Sequence, residues 1–104
     1  MNRIEQLKIF LEESPNDAFL NYALATEYIG LGDDVQAEIV FRQLLEKSPD
    51  YVATYYHLGK LLERKQLKSE AMDIYRAGIE KARAVGEQHS LSELQSALLE
   101  LEYE

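Results

Sequence analysis

Ser14–Lys47 reads SPNDAFLNYALATEYIGLGDDVQAEIVFRQLLEK, and the next stretch, Ser48–Lys81, reads SPDYVATYYHLGKLLERKQLKSEAMDIYRAGIEK. Laid one over the other, they match at a fixed offset of 34 residues. Ser14-Pro15 falls on Ser48-Pro49, Tyr22 on Tyr56, Leu24 on Leu58 and Ala37 on Ala71. Arg42 falls on Arg76, Glu46 on Glu80 and Lys47 on Lys81. Near-matches lie between them: Ala25 with Gly59, Phe41 with Tyr75, Leu45 with Ile79. Agreement at one offset across the whole window marks an internal repeat.

Each copy reads as two helices. Ser14 and Ser48 are placed to cap a helix whose first residue is proline, a position that needs no amide donor. The first helix of copy one carries Asn21, Leu24, Ala25 and Tyr28 on one face and runs to about Leu31. Gly32 ends it, and Asp33 with Gln36 three residues on offers a capping box for the next helix. That helix aligns Ala37, Val40, Phe41, Leu44 and Leu45 in one stripe. Copy two repeats the plan with Tyr55, Leu58, Gly59 and Leu62, then Ala71, Ile74, Tyr75, Gly78 and Ile79. The small residues Ala25, Gly59, Ala37 and Ala71 permit close helix approach, and Tyr28, Phe41 and Tyr75 are expected to fill the space beside them.

With Leu24, Ala25, Tyr28, Ala37, Phe41 and Pro49 in one copy, and Tyr55, Leu58, Gly59, Ala71 and Tyr75 in the other, the chain resembles the tetratricopeptide repeat family. The resemblance implies an all-α fold, a helix-turn-helix solenoid of stacked antiparallel pairs with about six helices. Several positions depart from the family pattern. Asn21 stands where a large aromatic is preferred, Leu62 replaces tyrosine, and Arg83 replaces the closing proline. Gly78 is unusually small for its helix, and the turn before Lys68 lacks glycine.

A repeat buries its apolar face only against a neighbour, so the flanks matter. Ile4, Leu7, Phe10 and Leu11 recur at helical spacing, and Phe10 lies one repeat length before Leu44. Residues 1–13 are therefore read as a half-repeat helix, 14–47 as repeat 1, 48–85 as repeat 2 and 86–104 as a capping helix. That last helix is expected to begin near Ser90 or Ser92, with Leu91, Leu94, Leu98 and Leu101 as its stripe. Its alternative role is dimerisation, which would make the chain a self-associating structural unit; a monomer is the expectation.

Composition narrows the function. The 104 residues form one domain with a net charge of −8 and no cysteine. Such an acid balance opposes nucleic-acid binding, which needs a cationic stripe. Only residues 35–68 lean basic, with 6 Lys and Arg against 4 Asp and Glu. No apolar run approaches a membrane span, and the first residues lack an uninterrupted signal-peptide core, so a soluble cytoplasmic protein is expected. His57 and His89 have no metal-ligand spacing, and no nucleophile triad or phosphate loop is present. Neither enzyme nor metal nor cofactor is expected.

The family resemblance implies that the first helix of each pair lines a concave groove, and that the protein is a scaffold-like binding module for a peptide or protein. The groove positions are then Phe19, Tyr22, Thr26 and Ile29 in copy one, and Tyr56, Lys60 and Glu63 in copy two. Tyrosine suits such a surface, with large area, a hydroxyl and few rotors. For Tyr22 and Tyr56 two roles stay open, binding a partner or packing on neighbouring helices; Ile29 is expected to pack. Some members clamp a chaperone tail, which would require lysine at Tyr22 and asparagine at Thr26 and His57. None is present. Lys60 beside the tyrosines is expected to receive an acidic or aromatic peptide.

Overall fold

Proline decides where the helices begin, though not as capping rules alone would have it. In the computed structural model, which describes residues 1–104, six helices and no strand form: α1 Arg3–Glu13, α2 Ala18–Gly30, α3 Asp34–Lys47, α4 Ala53–Arg64, α5 Lys68–Val85 and α6 Gln88–Glu102. Ser14 closes α1 rather than opening α2, its amide donating to the Phe10 carbonyl at 3.1 Å. The Ser14 carbonyl then accepts from the Asp17 amide at 3.1 Å, which makes Pro15 the second residue of a turn. That position suits its fixed φ as well as a helix start would. Asp17 is the cap, taking the Leu20 amide at 2.9 Å. The second Ser-Pro pair does the same, with the Tyr51 amide donating to the Ser48 carbonyl at 3.0 Å. Tyrosine stands there in place of the capping aspartate, and α4 starts without a side-chain cap.

The chain divides into two compact units, residues 1–51 and 52–104. In the first, α1 and α3 each pack on α2. Leu7, Leu24, Ala25, Ala37, Val40, Phe41 and Leu44 are its buried side chains. Burying a residue of the size of Phe41 contributes about 2–3 kcal/mol. Phe10 departs from expectation: it is 55% exposed, and Leu7 is the one buried residue of α1. Ile4, Leu7 and Leu11 form the stripe that meets α2, and Phe10 falls to one side of it. Tyr28 is only half-buried, with the Lys8 ammonium 6.0 Å from its ring centre.

In the second unit α5 pairs with both α4 and α6, and α4 also meets α6. Tyr55, Leu58, Leu61, Leu62, Ala71, Tyr75, Ile79 and Ala82 fill the space, together with Leu94, Ala97 and Leu101 from α6. The α6 helix begins two residues before Ser90, because a left-handed Gly86 lets the Glu87 amide return to the Ala82 carbonyl at 2.9 Å and the chain turns at once.

The turn inside each copy shows what the missing glycine costs. Gly32 (φ 78°) donates to the Ile29 carbonyl while Asp33 donates to that of Tyr28, and Asp33 then caps α3 by accepting the Gln36 amide at 3.1 Å. Gln66 has the same role in copy two, donating to Glu63 while Leu67 donates to Leu62, but it must hold φ 64° with a side chain. Left-handed backbone at such a residue costs about 1–2 kcal/mol. Gln66→Gly is therefore expected to raise unfolding stability by about 0.5–1 kcal/mol after the entropy of glycine is counted. A urea midpoint unchanged or lowered in that variant would refute the strain.

Candidate peptide-binding surface

Copy two differs from copy one in a linked set of residues, and that difference builds the site. At the Ala25 position stands Gly59, at Phe41 stands Tyr75, and at Ile29 stands Glu63. With no side chain on Gly59, the Tyr75 ring lies against the α4 backbone, so close that a β-carbon there would fall within 2.1 Å of its Cε1. From that position its hydroxyl donates to the Glu63 carboxylate, one turn further along α4. Glu63 also pairs with Lys60 at 3.6 Å, and the Lys60 ammonium lies 5.5 Å from the centre of the Tyr56 ring. A buried aromatic in α5 thus fixes a carboxylate, an ammonium and a second aromatic at the surface of α4.

Burial comes first in raising the Tyr75 phenol far above its ordinary 10.0, followed by the hydrogen bond to Glu63 and that carboxylate's charge. Tyr51 is raised as well, by burial and by the charge of Asp17. Because the folded state holds these protons more tightly than the unfolded chain, the stability they contribute is complete below pH 10.0 and lost as pH climbs beyond it. Urea midpoints are expected to fall above that pH, and Tyr75→Phe should flatten most of the fall. An equally steep loss in the variant would place its origin elsewhere.

The residues singled out from sequence fall in both units. In the first, Phe19 is 60% exposed at the start of α2. Tyr22 is half-buried, its ring centre 5.5 Å from that of Tyr51. The Thr26 hydroxyl donates to the Ala23 carbonyl at 2.9 Å, and Ile29 is half-buried. In the second, Tyr56, Lys60 and Glu63 form the cluster just described. Tyr56 meets the His57 ring edge-on at 5.6 Å. Burial lowers the His57 imidazole below its usual range, with Arg64 acting in the same sense and Glu93 against it.

Tyr56 and Lys60 open onto a cleft of about 330 Å³ between α4 and α6. Its other wall carries His89, Ser92, Glu93, Ser96 and Glu100, none of them among the groove positions expected from sequence. The signal was there, since residues 89, 93, 96 and 100 recur at helical spacing and form a polar face of α6. A second groove, of about 670 Å³, runs between α5 and α6. Ala77, Ile79, Leu98 and Leu99 line it beneath two ion pairs, Arg76 with Glu102 and Arg83 with Glu80, each at 3.6 Å. No helix is long and apolar enough to cross a membrane, and no three acidic or histidine side chains converge on a metal position.

Two solved structures of a tetratricopeptide repeat domain protein from Salinibacter ruber are similar to the chain. The crystal structure is 50% identical, with a TM-score of 0.81, and the match covers 83% of this chain and 96% of that one. The solution NMR structure is also 50% identical with a TM-score of 0.81, over 85% of this chain and 89% of that one. A solution structure of a Bordetella parapertussis protein matches 99% of this chain and 90% of its own, with a TM-score of 0.84. At 24% identity it shows the fold alone. No family model matches the chain, and no curated protein is similar to it.

Proposed function

We infer that this chain, which belongs to the tetratricopeptide repeat family, is a non-catalytic protein-interaction module that binds a peptide or protein partner. Residues 14–47 and 48–85 are its two repeats in this reading, flanked by a half-repeat helix (1–13) and a capping helix (86–104). The observation that carries it is the fixed cluster of Tyr56, Lys60 and Glu63 at the mouth of the α4/α6 cleft. Half-buried tyrosine held rigid beside charge gives contact area at little entropic cost. In the first unit Phe19 and Tyr22 are the proposed contacts. Thr26, its hydroxyl engaged with the Ala23 carbonyl, and Ile29 supply shape alone.

Affinity capture from lysate, quantified by mass spectrometry for the intact chain and for Tyr56→Ala, tests this reading. Capture of specific partners is expected to fall about tenfold in the variant, equivalent to roughly 1.4 kcal/mol, as at an aromatic hot spot. Equal capture, with helicity unchanged, would remove the groove assignment. A second reading is self-association through the C-terminal helix, favoured by Leu99, which is 54% exposed beside the α5/α6 groove. Sedimentation showing a monomer at high micromolar concentration would dismiss it.

A further inference from the structure

We propose that the α4/α6 cleft of residues 52–104 is a subsite for the basic side chain, arginine or lysine, of a partner peptide. The proposal rests on the peptide-binding reading above and assigns the charge of what is bound. The sequence leads one to expect that Lys60 receives an acidic or aromatic peptide. Its ammonium is already engaged, held by Glu63 at 3.6 Å and lying over the Tyr56 ring at 5.5 Å. Around it stand three carboxylates, Glu63, Glu93 and Glu100, to that single ammonium. Glu93 faces two imidazoles and no permanent cation: the His89 ring at 3.8 Å, on a side chain that is 88% exposed and pairs only when protonated, and the His57 ring, which burial holds toward its neutral form. Glu100 makes no ion pair within the chain. An incoming carboxylate would meet a lysine already paired with Glu63 and two further like charges, Glu93 and Glu100; an incoming cation would meet those two carboxylates.

Shape and chemistry agree with the charge. Lys60 itself demonstrates that a cation sits over the Tyr56 ring. The cleft, about 330 Å³, is small among ligand pockets, which span about 300–1,000 Å³, and suits one long side chain better than a helix. The half-buried Tyr56 ring offers an apolar face for the aliphatic stem, and the Ser92 and Ser96 hydroxyls are acceptors for remaining N–H groups. The complement is a long, flexible, cationic side chain.

Fluorescence anisotropy of the intact chain with three labelled heptapeptide pools, identical except for a central arginine, glutamate or leucine, tests the assignment. The arginine pool is expected to bind at least about fivefold more tightly than either other pool. Glu93→Gln combined with Glu100→Gln should erase that preference. Lys60→Met should strengthen arginine-pool binding severalfold, because it removes the competing ammonium. Preference for the glutamate pool, or an arginine preference that survives the double substitution, overturns the subsite and leaves the binding module standing. If no pool binds, both fall.

Discussion

Gly59→Ala is expected to cost the protein about 1–2 kcal/mol net, although alanine is the better helix former by about 1 kcal/mol. The two effects oppose each other, and geometry decides between them. The new β-carbon would fall 2.1 Å from Tyr75 Cε1 and 2.6 Å from its Cζ, well inside van der Waals contact. A ring free to swing would relieve this cheaply. Tyr75 is fully buried, however, and its hydroxyl is committed to the Glu63 carboxylate. Swinging it away sacrifices a hydrogen bond to a charged group, worth about 1.5–3 kcal/mol, and holding it in place overpacks the core at a similar cost. Gly30 provides the control. It is helical with nothing within 4 Å of its would-be β-carbon, so Gly30→Ala is expected to stabilise by about 0.5–1 kcal/mol. Urea denaturation of the two variants should move in opposite directions; movement in the same direction contradicts the packing described.

Gly78→Ala is expected to do still more damage, for a different reason. Its β-carbon would stand 2.5 Å from Tyr55 Cβ, 2.9 Å from Tyr55 Cγ and 3.0 Å from Leu94 Cδ1. No rotamer change moves a Cβ, because it is fixed to the backbone of α4. The α4 and α5 helices must separate, and Leu94 of α6 must give way as well. About 3–4 kcal/mol is a reasonable loss, a large part of a total that is about 5–15 kcal/mol for a domain. The expected signature is faster amide exchange throughout α4, α5 and α6, measured by mass spectrometry. Native exchange rates in those helices would show that α4 and α5 do not approach as closely as the structure has them.

That glycine also marks the limit of what the sequence could tell. Read against the repeat, Gly78 is an oddity in a helix; only the position of Tyr55 and Leu94 turns it into a contact. Period and helix pairing were legible, because identities at one fixed offset depend on no knowledge of partners. Helix starts were harder, since Ser-Pro satisfies the rules for a cap and for a turn equally well. The competitor that won, Asp17, has no counterpart at Tyr51. Phe10 shows the same difficulty at the level of a face: spacing put it near the apolar stripe, and only the direction of α2 shows that it falls beside it. The turn at Gln66 lacked its usual signal, yet tertiary packing held the backbone in the form that Gly32 takes freely.

The candidate surface was legible in part. Tyr56, Lys60 and Glu63 share one face of a helix, which periodicity alone reveals. Their mutual arrangement depends on Tyr75, whose reach past Gly59 cannot be read from spacing. The opposite wall is not legible in the sequence, because the carboxylates of α6 resemble those of any solvated helix until α4 is seen to face them.

An amide NMR titration of the isotope-labelled intact chain with an arginine-centred heptapeptide tests the α4/α6 cleft most directly. Saturable shift changes are expected, concentrated at Tyr56, Lys60, Glu93, Ser96 and Glu100. Changes centred instead on Ala77, Leu98 and Leu99, in the α5/α6 groove, with the α4/α6 cleft unmoved, would contradict that assignment.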